Sequence, residues 1–389
     1  MNYAPLKNVR VLDCSTLLPG PYCTMMLAEM GAEVIKVERA VTGDGMRIVI
    51  PGCFDYLNGN KSFITLNLKH EKGLALFMKI AEEVDVIVEG FRPGIAKRLG
   101  IDFDSVKKIN PSIIYCSISG YGQTGPYTNL PGHDINYQGL SGLLSISGDP
   151  DAGPEFPDGF QVADLSASMF ALASILAALN GKAARMETDI PAPVYLDISI
   201  SETMAMWMMP RYFEYTGRNR PPKSKFMGRG PYGVFETKDK KYITIGVVEN
   251  HFWLNLCKVL GLDDLASDKS LNSWDAMNQA RERIVPRIKE AIKQQDSEYW
   301  IKVLSEADVP VAPVNDFENW TDNPQFKYRE FIPGAADKKI FRRFPVDTLI
   351  NADVHESAKA EPGSDNNVVF SKLGLSKEEI GILKKEKAI

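Results

Sequence analysis

The chain has little of what builds metal and disulfide sites: 4 histidines and 5 cysteines in 389 residues. The cysteines, Cys14, Cys23, Cys53, Cys116 and Cys257, are scattered without paired spacing. That excludes a zinc-ribbon or disulfide framework, suits a reducing cytoplasm, and leads us to expect no metal. Basic charge is not in excess either, the formal net charge being −5. A nucleic-acid partner is therefore not expected, because phosphate backbones demand a basic surface. No secretory segment opens the chain, and no apolar run reaches the ~18 residues of a membrane span, so no membrane partner is expected and the cytoplasm is the expected location. The turn after the first strand, Asp13 to Pro21, lacks the G-x-G-x-x-G word that lets backbone approach a pyrophosphate. A nicotinamide or flavin is accordingly not expected, and no internal repeat or low-complexity tract is evident beyond a Lys-rich tail after Ser376.

What is present reads as a globular enzyme. Hydrophobic residues make up 44% and charged residues 24%, and the length suffices for two domains with sizeable cores. The first third alternates strand and helix. Val9–Asp13, Glu33–Glu38, Val84–Glu89 and Ile113–Ile118 are apolar strand words. Pro21–Met30, Leu74–Glu83 and Asp104–Asn110 are helical, Gly31 stopping the first of them. Such alternation predicts an α/β fold with a parallel sheet covered on both faces. Asp164 precedes a buried helix over Leu165–Leu179, Lys182–Pro193 reads as a surface loop, and Val194–Ser199 is a strand leading into a helix over Ser201–Tyr215. Arg211–Gly230, basic and rich in Pro and Gly, reads as a linker. A second unit then follows, with strands at Pro231–Thr237 and Tyr242–Val247, and helices near Trp253–Leu260, Asn278–Gln294 and Ser297–Glu306. We thus expect a large domain over 1–210, a linker over 211–230, a small α+β domain over 231–315, and a C-terminal segment, 316–389.

The richest word is Gly132-His133-Asp134-Ile135-Asn136-Tyr137, with Asp164 lying 31 residues beyond His133 in Val162-Ala163-Asp164-Leu165. A histidine and a carboxylate facing one carbon can remove a proton from one side and return one to the other. Spacing alone does not make that case: a histidine in a Gly/Pro turn is more often structural, and an aspartate at a helix start can be a plain cap. Other words surround the pair. They are Leu18-Pro19-Gly20-Pro21-Tyr22-Cys23, Leu27 to Arg39, Asn58-Gly59-Asn60-Lys61-Ser62, Glu89-Gly90-Phe91-Arg92-Pro93-Gly94, Ser119 to Tyr127, Gly246-Val247-Val248-Glu249 and Val309 to Val314.

Together these words resemble the class III CoA-transferase (CaiB/BaiF) superfamily, and the histidine word resembles its α-methylacyl-CoA racemase branch. The resemblance implies a Rossmann-like CoA-binding large domain and an interlocked homodimer. It implies an acyl-CoA thioester as substrate, with CoA arriving as part of it rather than as a separate cofactor. His133 and Asp164 would be the two acid/base groups. The amide of Asp134 would receive the enolate oxygen, and the side chains of Asp134 and Glu249 would support His133. Arg39 and Arg92 match the residues that meet CoA phosphates, with Lys61, Lys97 and Arg98 as further cations; arginine's planar fork favours the first two. One departure is Leu165-Ser166-Ala167-Ser168, where the racemase branch is glycine-rich. The alternative is a CoA-transferase in which Asp164 is the nucleophile and His133 a bystander.

Overall fold

The computed structural model describes residues 4–157, 159–185, 192–329, 331, 345, 346 and 360–389. Two compact units emerge. One comprises residues 1–143, 158–209 and 331–389, the other 144–157 and 210–330.

The first unit is built on a six-stranded sheet: β1 (Arg10–Cys14), β2 (Glu33–Arg39), β3 (Ser62–Leu66), β4 (Val86–Glu89), β5 (Ile114–Ser119) and β6 (Val194–Ser199), in the order β3-β2-β1-β4-β5-β6. All neighbours run parallel. β1 to β5 are buried along nearly their whole length because both faces are covered, Lys36 and Glu38 of β2 included, and successive residues sort onto opposite faces. Val11, Val34, Val86, Val88, Cys116 and Ile118 join the core beneath helices Pro19–Glu29 and Val162–Arg185. Leu12, Ile35, Ile64, Ile87 and Tyr115 join the opposite core, with Phe77 and Ile80 of helix Glu71–Glu83 and Phe370, Ile380 and Leu383 of the C-terminal helices.

Residues 360–389 return to this unit in a specific way. The Asp365 carboxylate accepts from the Phe63 amide at 2.7 Å and the Asn366 side chain from the Thr65 amide at 2.9 Å. Side chains thereby occupy the open edge of β3, which would otherwise offer bare amides to another strand.

The second unit holds an antiparallel sheet, β7 (Tyr232–Glu236), β8 (Tyr242–Gly246) and β9 (Val311–Pro313), in that order. Helices Asn250–Leu260, Arg281–Ile292 and Ser297–Glu306 bury Trp253, Leu256, Ile288 and Trp300 against Phe235, Ile243 and Ile245.

Four expectations are corrected. The helix after Asp164 runs on to Arg185, into the expected loop, whose residues 186–191 lie outside the described ones. The expected linker is largely helical: Ile200–Gly217 continues past Pro210, and Lys223–Met227 forms a further turn. Residues 144–157 cluster with the second unit instead of the large domain. Lys223 Nζ donates to the carbonyls of Ser147, Ala152 and Gly153, and Arg281 pairs with Asp151 at 3.1 Å. Finally, Val162–Ala183 is long and apolar enough to span a membrane by length and composition, with a mean hydropathy of 1.9. In the fold, Ala163, Ala167, Ala171, Leu172 and Ile175 belong to the core.

Candidate active site

Parallel α/β sheets bind ligands beyond the carboxyl ends of their strands, and a cavity of about 270 Å³ opens there in the first unit. The loop after β1 (Thr16) with the start of helix Pro19–Glu29 (Gly20), the loop after β4 (Gly90, Arg92), and the end of β5 with the loop beyond it (Ser119, Tyr121) contribute to its wall. Two helix starts complete it, bringing His133 and Asp164 onto the same cavity.

His133 is the N-cap residue of helix Asp134–Leu140, in extended backbone. Its amide donates to Asn136 Oδ1 at 2.9 Å, and the Asn136 amide donates to the His133 carbonyl at 2.8 Å. This reciprocal pair fixes the backbone that presents the imidazole. The wall behind it admits only glycine: a Cβ on Gly120 would lie 2.3 Å from the Tyr137 hydroxyl, and one on Gly132 would lie 2.8 Å from the Tyr137 ring.

Asp164 lies in the first turn of its helix, half-buried at the cavity. Burial pushes its carboxyl up to about 7, and the neighbouring Asp134 pushes in the same direction. An ordinary aspartate would be fully ionised at neutral pH; this one is divided between acid and base, as general acid–base chemistry near pH 7 requires.

Asp134 departs from expectation. Its buried carboxylate does not serve the imidazole. Oδ1 accepts from the amides of Ala163 at 2.8 Å and Asp164 at 3.0 Å, and Oδ2 accepts from Gln138 Nε2. Helix starts leave four amides without intrahelical partners, and an acceptor carboxylate beside them is favoured by both hydrogen bonding and the helix dipole.

Lys61 is corrected too. Its side chain is wholly buried, with Nζ 2.9 Å from Asp13 Oδ2 and further bonds to Thr24 Oγ1 at 2.7 Å, Asn58 Oδ1 at 2.8 Å and the Pro21 carbonyl. Burial lowers its ammonium to about 8, against the pull of Asp13. Nothing of it is left for a phosphate. Lys36, equally buried, donates to the Ser15 carbonyl at 2.9 Å and lies 3.3 Å from Asp44.

The remaining cations are exposed. Arg39 ends β2, Arg92 lines the cavity, and Lys97 and Arg98 sit on the short helix Ile95–Leu99. Among the described residues none of the four makes an ion pair. Glu249 belongs to the second unit, exposed at the N-cap of helix Asn250–Leu260, without a side-chain bond to that helix.

Tyr137 was not singled out from the sequence. It is 4% exposed, edge-on to Tyr121 at 5.2 Å, and lines the cavity. Burial, followed by the Asp164 carboxylate, pushes its hydroxyl up to about 12, so it is a neutral donor at every physiological pH. Only its place within the histidine word pointed to it.

Glu89, at the end of β4, is buried and donor-bound, the Phe91 amide reaching Oε2 at 2.7 Å. Burial raises its carboxyl to about 7, against the Ser117 hydroxyl and the Phe91 amide. It braces the turn that carries Arg92.

His133 and Asp164 thus share one cavity, with Arg92 on its wall and in no ion pair among the described residues. The family model "CoA-transferase family III" matches residues 6–360, and the chain belongs to that family of enzymes. The chain is 31% identical to the acetyl-CoA:oxalate CoA-transferase of Acetobacter aceti, over 84% of this chain and 85% of the relative. It is 29% identical to the human α-methylacyl-CoA racemase, over 99% of this chain and 97% of the relative. A crystal structure of a CaiB/BaiF family protein from Brucella suis superposes with a TM-score of 0.78 at 26% identity, covering 95% of this chain and 99% of the other.

Proposed function

We propose that the protein is an acyl-CoA racemase acting at the 2-position of a 2-methyl-branched acyl-CoA by 1,1-proton transfer. The observation that carries this reading is the meeting of His133 and Asp164 on one cavity. The match to the human racemase over nearly the whole of both chains supports it.

The thioester carbonyl makes the α-carbon acidic by delocalising carbanion charge onto oxygen. One of the pair takes the α-proton, the electron pair moves into the enolate, and the other partner delivers a proton to the opposite face. Each group ends in the protonation state the other began in, so the reverse reaction uses the same machinery. Positioned acid–base groups supply ~10²–10⁴-fold each, and one donor to the enolate oxygen on the order of 10²–10³-fold. The amide of Asp134, first in its helix and so without an intrahelical acceptor, is our candidate donor. Arg39 and Arg92, with Lys97 and Arg98, would meet the CoA phosphates. CoA enters and leaves as part of the substrate.

A second reading has support from the transferase relatives, the Acetobacter enzyme among them. In it, Asp164 attacks the thioester carbonyl and the CoA thiolate leaves. That thiolate attacks the aspartyl carbonyl of the resulting mixed anhydride, releasing the first carboxylate and leaving an aspartyl-CoA thioester; a second carboxylate attacks this thioester, and the expelled thiolate takes the acyl group of the new anhydride, freeing Asp164.

Mass spectrometry of a 2-methylacyl-CoA incubated in D₂O without acceptor acid separates the two. Deuterium entering the α-carbon, and lost in both His133→Ala and Asp164→Asn, supports the racemase. No deuterium, with CoA passing between added carboxylic acids in an Asp164-dependent way, overturns it.

A further inference from the structure

Resting on the reading of Asp164 as an acid–base group, we infer that Asp134 is the positioning residue of that aspartate, not of the histidine beside it. One Asp134 oxygen holds the two amides that begin the Asp164 helix, at 2.8 and 3.0 Å, and the other is held by Gln138. The residue directly after His133 is thus tied to the backbone of Asp164 itself. One short link sets the separation of the two groups that must flank a single carbon, and misplacement of a reacting group by 1 Å costs on the order of 10²-fold in rate.

The link also carries charge. A carboxylate is an expensive choice beside a second carboxylate, since an amide oxygen would accept the same two bonds. What the charge adds is repulsion, which favours the proton on Asp164. The other titratable or charged groups lining the cavity with Asp164 are His133 and Tyr137, at the N-cap and within helix Asp134–Leu140, Tyr121 after β5 and Arg92 after β4. Among the described residues neither aspartate is in an ion pair, so this repulsion is not cancelled at contact distance.

The site is prepared for a charge-only test. Gln138 Oε1 is buried without a hydrogen-bond partner among the described residues. In Asp134→Asn the new carboxamide can still accept from the two amides, and a flipped Gln138 can accept from its NH₂. The titration of Asp164 is followed by NMR in aspartate-¹³C-labelled protein, the signal being assigned by its loss in Asp164→Asn. The midpoint should fall by about one pH unit in Asp134→Asn, and the acid limb of α-proton exchange should move with it. In Asp134→Ala the amides of Ala163 and Asp164 should exchange with solvent at least ~10-fold faster, and kcat should fall on the order of 10²-fold with KM changed less than about twofold. An unmoved Asp164 midpoint in Asp134→Asn, or wild-type kcat and amide protection in Asp134→Ala, overturns the inference. The titration needs no turnover. A wild-type chain that exchanges no α-proton defeats the racemase reading, while Asp134 is still judged by the midpoint.

Discussion

Two carboxylate-bearing clusters lie in the same unit and are treated oppositely. Under the β1 end, Asp13 and Asp44 face Lys36 and Lys61, two negative charges against two positive, all buried. Burial alone would raise the Asp13 carboxyl, but Lys61, Lys36 and the hydroxyls of Ser15 and Thr24 outweigh it and hold it well below the usual range. At the cavity, Asp134 and Asp164 face each other with neutral donors and no paired cation among the described residues. The first cluster has matched charge and fixes the loop that follows β1. The second keeps an uncompensated carboxyl near neutrality, where it can give and take protons. Charge matching, more than burial, separates the two: wholly buried Asp13 is held well below the usual carboxylate range, while half-buried Asp164 is pushed up to about 7.

The contrast can be broken at either end. The largest effect is expected at the reactive end, where His133→Ala or Asp164→Asn should lower α-proton exchange by ~10²–10⁴-fold with folding intact. At the structural end, Lys61→Met leaves Asp13 short of a partner in the interior. Chemical denaturation should register a loss of about 3–5 kcal/mol, and adding Asp13→Asn should recover part of it. Its KM for acyl-CoA should hold, because this ammonium is buried and already bonded within the protein. By contrast, Arg39→Ala and Arg92→Ala should each raise KM about tenfold with stability unchanged, as loss of one charged contact implies.

The smallest effect is a stability change with pH. Asp164 has a raised folded midpoint, so between about pH 4 and pH 7 the folded state binds more protons than the unfolded one. Stability attributable to this group therefore falls as pH rises through that window. Asp164→Asn should be the more stable protein at pH 8, by about 1–2 kcal/mol after allowance for partial solvent screening, and the gain should vanish near pH 4. Melting curves at both pH values check this.

Much of the fold could be read from periodicity. Strands rich in apolar residues stand out as words, and β1, β2, β4, β5 and β6 lie within a residue or two of their expected ends. β3 was missed because Ser62–Leu66 follows Asn-Gly-Asn-Lys, a turn signature that drew attention from the short run behind it. Lys61 was expected among the cations meeting CoA phosphates, and only the packing of β3 against β2 draws it inward beside Asp13. His133 and Asp164 were legible through the words around them. The role of Asp134 was not, because its partners are backbone amides about thirty residues away, and main-chain donors leave no trace in residue type.

The central claim is that His133 and Asp164 work on opposite faces of one carbon. The most direct test starts with a single epimer of a 2-methylacyl-CoA in D₂O, without acceptor acid, and follows configuration and deuterium together. The account predicts that the inverted epimer appears and carries deuterium at C2 from the first turnovers. Retention of configuration with no deuterium, while CoA moves readily to an added carboxylate, would contradict it and make the protein a CoA-transferase.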